Sequence, residues 1–154
     1  MKINTKQKGQ TLIETAIILF LLLLILLGIT EFARAWYTKN SLKNAVRHGA
    51  RIAVVTSGIS NNNNTSTKAG IPTNCEAQIG NDKVFCYMWN SPGIPDGTTA
   101  TLTITDDNGD GTLPSSGDTV TVSATTTFNP VIGGSPWPWP DSINMTTDAS
   151  MRYE

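Results

Sequence analysis

Apolar positions follow three different rules along this chain. From Ala16 to Ile29 nearly every residue is isoleucine or leucine, and no charge falls between Thr15 and Thr30. Together with Leu12, Ile13 and Phe32 this run supplies about the 20 residues that cross a bilayer core. Residues 10–55 contain no proline and read as one helix, predicted to end near Ser57-Gly58. Beyond the run, Phe32, Trp36, Leu42, Val46, Gly49 and Ile52 or Ala53 recur at helical spacing and predict a stripe lying on an apolar surface. Further on, "SNNNNTSTKAG" predicts a mobile polar loop, and Ile71–Pro95 predicts irregular chain with one short strand around Val84–Trp89. The rule then changes to alternation. "TATLTIT" (Thr99–Thr105) and "DTVTVSATTTF" (Asp118–Phe128) alternate, are rich in β-branched residues and flank the turn-rich "DDNGDGTLPSSG", which predicts an antiparallel hairpin. "NPVIGGSPWPWP" forbids regular pairing, since each proline removes a donor, and "SINMTTDASMRYE" alternates as a last strand. The predicted fold class is α+β, a long N-terminal membrane-spanning helix packed on a small antiparallel sheet.

Charge sharpens this division. The net charge of −1 conceals about +6 on residues 1–55 and −7 on residues 56–154. The positive charges flank a membrane-grade segment, which makes nucleic acid a poor partner for them. Lys2, Lys6 and Lys8 precede the run with no acid among them, which predicts a cytoplasmic N-terminus in the inner membrane and an exported remainder. A cleaved secretory signal would have a shorter apolar region and a small-residue cleavage site, whereas here good helix continues through "EFARAWY". Lys39, Lys43, Arg47 and Arg51 form one row along the helix, each four residues from the last. It reads either as a solvated face or as a face turned toward acidic surface on the head or on a neighbouring subunit. Cys75 and Cys86 are the only cysteines, and in an exported domain such a pair predicts a disulfide. Two thiols with no nearby histidine do not complete a tetrahedral metal site.

Glu14 is the residue that a plain anchor would not keep, because an unpaired charge at bilayer depth costs about 2.5–3.5 kcal/mol. "GQTLIE" (Gly9–Glu14), behind a short lysine-rich leader and ahead of the apolar run, resembles the class III signal of type IV pilins and pseudopilins. The resemblance implies cleavage by a prepilin peptidase after Gly9, a new N-terminus at Gln10 and an assembly carboxylate at Glu14. The physical logic agrees. Cleavage uncovers an α-amine, and stacked helices would let Glu14 of one subunit meet the amine of another, so that each buried charge compensates the other.

The segment "GQTLIETAIILFLLLLILLGITEFARAWYTKNSLKNAVRHGARIAV" is similar more narrowly to the TadE-like family. The likeness rests on Gly28–Ala35, on Trp36 and Tyr37, and on the small-residue stretch Ala45–Ala53. A Val/Thr strand, a proline break and a final strand ending on Met-Arg resemble the family's C-terminal part more loosely. The resemblance implies a pilin-like fold and a structural, non-enzymatic minor pilin of a Tad (Flp-type) pilus used in surface adherence. Its implied partners are the prepilin peptidase, other pilin subunits, the pilus assembly platform and the inner membrane, with incorporation into an extracellular pilus. Alternatives are a type II secretion pseudopilin and a membrane-anchored extracytoplasmic binding module. The corresponding division is a leader at 1–9, a transmembrane and amphipathic helix at 10–57, and an exported β-rich head at 58–154.

Three further features bear on chemistry. Asp106, Asn108 and Asp110 stand at positions 1, 3 and 5 of a calcium loop, with Gly111 at its turn. Gly117 occupies the place of the final bidentate acid, Asp118 comes one residue late, and Asn-Gly and Asp-Gly are equally the marks of a hairpin turn. No other cofactor is expected. His48, the only histidine, has no nucleophile or acid within its own motif, which argues against catalysis. Trp137 and Trp139 in "PWPWP" would either pack on the protein's own edge or offer two indoles to a ligand.

Overall fold

The computed structural model describes residues 5–62, 64–131 and 140–154, with side chains from residue 9 onward. The chain divides into two compact units, Met1–Arg34 and Ala35–Glu154. Helix α1, Thr5–Val55, contributes to both.

In the first unit α1 is built from strong helix formers with no interrupting proline. The Thr15 and Thr30 hydroxyls donate back to the carbonyls of Thr11 and Leu27 at 2.8 Å, which satisfies their polar groups within the helix. The large apolar side chains from Leu12 to Ile29 are all exposed. The helix is long and apolar enough to cross a membrane. The uncharged run is followed by an ion pair one turn long, Arg34 Nη1 to Glu31 Oε1 at 3.0 Å.

The second unit is a four-stranded antiparallel sheet in the order β1-β2-β3-β4, comprising Thr65–Thr67, Thr99–Thr105, Thr119–Phe128 and Ile143–Arg152. The expected hairpin is β2 against β3, with Leu102 opposite Val122 and Ile104 opposite Val120. The expected last strand is β4, which pairs with β3 along its full length. Alternation puts Ala100, Leu102, Ile104, Val120, Val122 and Ala124 on the buried face and threonines on the other. Leu42, Ala45, Val46, Ala50 and Ala53 of α1 close the same core. Most of these helical residues are small, which lets the helix lie close to the sheet. A Cβ on Gly49 would stand 3.3 Å from Met88 Sδ and 3.5 Å from Val122 Cγ1.

Three expectations need correction. Phe32 and Trp36 do not extend the buried stripe, since both are largely exposed, and the buried stripe begins at Leu42. The strand expected around Val84–Trp89 is a helix, α2, Gly80–Trp89. Its core residues Val84, Phe85, Met88 and Trp89 fall at i, i+1, i+4 and i+5, a helical face that a short window reads as a buried strand. The polar loop is structured as well. It contains β1, and Asn61 pairs with the backbone of Ile104 through two bonds, its Nδ2 donating to Ile104 O at 3.0 Å and its Oδ1 accepting from Ile104 N at 2.8 Å. Asn81 fixes the other side of this loop by donating to Ser60 O and Asn62 O and accepting from Ser60 N. No apolar burial was needed, because side-chain amides supply the missing ladder bonds.

Candidate assembly site and head features

Gln10, Ile13, Glu14 and Ile17 lie together on one side of α1. The spacing i, i+3, i+4, i+7 explains this, because residues three and four apart are neighbours on a helix. Gln10 and Glu14 are therefore about 6 Å apart along the axis. Gly9, Gln10 and Glu14 are exposed and helical. Nothing lies within 4 Å of the place a Cβ would take on Gly9. Glycine here is the weakest helical link, by about 1 kcal/mol relative to alanine. Of the lysine-rich leader, Lys2 lies outside the described residues.

In the second unit the cysteines form the expected disulfide, Cys75–Cys86, with Cα atoms 5.4 Å apart. It ties the short 3-10 turn Cys75–Ala77 to α2. Next to it, Tyr87 donates its hydroxyl to Glu76, whose other carboxylate oxygen faces Lys83 Nζ at 3.5 Å. The tyrosine bond first and the lysine second hold the Glu76 carboxyl below its ordinary range, and the same bond pushes Tyr87 up. His48 meets Tyr87 edge-on, with ring centroids 6.1 Å apart. This contact is structural and brings no nucleophile to the ring. A sequence reading did not find the Lys68–Asp96 ion pair at 2.7 Å, which spans 28 residues. Lys68 is buried along its stem and Asp96 exposed, so the pair sits where a snorkelling lysine reaches the surface.

The residues of the candidate calcium loop lie together on the β2–β3 connection, but their oxygens face the loop's own backbone. Asp106 accepts from Gly109 N at 2.6 Å and Gly111 N at 3.0 Å. Asp110 accepts from the hydroxyl and the N–H of Thr112, which lowers its pKa to about 2. Asn108 donates to Asp110, Ser115 and Ser116. Asp118 is fully buried and accepts from Ser115 N at 2.7 Å, which ties the end of this loop to the start of β3. Among the described residues no group of three or more His, Cys, Asp or Glu side chains is gathered, and the loop's set is two carboxylates and one amide. These contacts are those of a turn stabilised by Asx bonds. Trp137 and Trp139 lie outside the described residues.

One family resembles the N-terminal helix. The profile of the TadE-like protein family matches residues 9–51. The likeness to that family covers the N-terminal helix.

The match begins at Gly9 and takes in Gln10, Glu14, the whole apolar run and the basic row through Arg51. It stops before the disulfide, the β2–β3 loop and the sheet, which belong to this chain's own head. No curated protein and no solved structure matches the chain.

Proposed function

We propose that this TadE-like protein is a minor pilin-like subunit. In this reading it is anchored in the inner membrane with its head exported, cleaved after Gly9 by a prepilin peptidase, and taken into or placed at the end of a Tad pilus. The observation that carries the reading is a carboxylate, Glu14, on the same helical side as Gln10, inside an exposed apolar helix whose TadE-like match starts at Gly9. Before cleavage Glu14 lies well inside α1, which starts at Thr5. After cleavage it would lie in the first turns of a shortened helix, where unsatisfied N–H groups and the new amine favour negative charge. Its partner would be the amine of a neighbouring subunit, since a lone buried charge would shift its protonation instead.

The test is N-terminal sequencing of the protein from membranes of cells with an active prepilin peptidase. A chain starting at Gln10 is expected, and one starting at Met1 overturns the proposal. Gly9→Ala is expected to block processing. Glu14→Ala is expected to be processed normally yet lost from pili, and its incorporation at wild-type level defeats the pairing.

A further inference from the structure

The two edges of the sheet are treated differently. On the β2 side the edge is closed in steps, by β1 opposite Thr99–Thr101, by Asn64 O accepting from Leu102 N at 2.7 Å, and by the Asn61 amide on Ile104. On the other side β4 runs for 10 residues and, among the described residues, pairs with β3 alone. Among the described residues its outer N–H and C=O groups have no partner. Unpaired edges of this length are templates for strand addition, and natural proteins usually blunt them with short strands, prolines or covering segments. Among the described residues one edge is blunted and the other is not.

The groove beside this edge carries three cations from α1 and one carboxylate, Asp148, from β4. Lys43, Arg47 and Arg51 of α1 line a groove with residues 148–151 of β4. All three cations are exposed, and none forms an ion pair among the described residues. Asp148 lies in the groove without reaching them. The row expected to face either solvent or acidic surface thus faces a channel beside a free strand edge. Side chains four apart on a helix advance about 6.0 Å, and alternate residues on a strand about 6.7 Å. An added strand would therefore present every second side chain to one cation of the row.

We infer that the β4 edge and the Lys43–Arg47–Arg51 row together form a docking site for an extended acidic segment of a partner protein, bound by strand addition with carboxylates at alternate positions. Backbone bonds to β4 would hold the segment, and the row would select its charge. A second copy of this chain fits poorly. Antiparallel β4–β4 pairing would set two cationic rows side by side, and like charges facing each other are destabilising.

The inference stands apart from leader cleavage, and its test does not depend on processing. The full chain in lipid nanodiscs is titrated with a short peptide of alternating glutamate and threonine, while amide exchange in β4 is followed. Binding is expected, together with slower exchange at alternate β4 amides. The lysine–threonine peptide is expected not to bind, as is the acidic peptide N-methylated along one edge. Arg47→Glu with Arg51→Glu is expected to weaken binding about fivefold or more while leaving the head's circular dichroism unchanged. Binding that ignores N-methylation, or no change in β4 exchange, overturns strand addition. Equal binding of the lysine peptide overturns the role of the row. Slow β4 exchange in concentrated protein without peptide would assign the edge to a second copy and overturn the acidic partner.

Discussion

At the scale of single residues, this head depends on positions whose importance is invisible in hydropathy. Gly80 opens α2 with φ +57°, and a Cβ there would come within 2.6 Å of the backbone oxygen of Gly58. Both the left-handed backbone and the contact penalise a side chain, and a backbone atom cannot rotate out of the way. Gly80→Ala is expected to destabilise the head by about 2 kcal/mol or more, read as a lowered unfolding midpoint of the full chain in detergent. Asn61 and Asn81 illustrate the same blindness. In the sequence Asn61 belongs to a polar stretch with nothing to bury and Asn81 to a segment read as irregular, and in the structure their amides complete β2 and fix the loop. An amide that substitutes for a strand has no period, so no pattern announces it. Glu14 was legible for the opposite reason, since a carboxylate conflicts with every apolar neighbour it has.

At the scale of elements, legibility followed length and regularity. The apolar run, the hairpin strands and the last strand repeat one rule for long enough to be read. α2 was read wrongly because its 10 residues include a buried "VF" and "MW" that fit a short strand as well as a helix. What anchors this helix is the Cys75–Cys86 link across 11 positions of sequence. Cys75→Ser with Cys86→Ser is expected to lower head stability by about 3 kcal/mol in the chain-entropy account, measured by thermal melting of the oxidised chain and the variant. Exchange should quicken first in α2 and the 3-10 turn, which share that loop.

At the scale of the whole molecule, acid sensitivity is built into the head. The Glu76, Asp96 and Asp110 carboxyls are all held below their ordinary values, by Tyr87, by Lys68 and by Thr112 respectively as the largest causes. A depressed folded pKa means that the unfolded chain takes up protons first as pH falls. The stability contributed by these groups is therefore fully present above about pH 5 and is lost as pH drops. For Asp110 the window runs from the ordinary 3.8 down to about 2. Melting temperature is expected to be flat near neutrality and to fall across that window, and Asp110→Asn is expected to make the fall shallower. The sequence alone determined that this is a charge-divided chain with one membrane-grade helix, a β-rich remainder and an acid set at the front of the apolar run. It did so because run length, alternation and a misplaced charge are local quantities. Only tertiary structure decided which edge of the sheet is closed, that the basic row borders the open one, and that the aspartates of the β2–β3 turn bond to their own backbone. Those are relations between segments distant in sequence, and they exist only once the chain has packed.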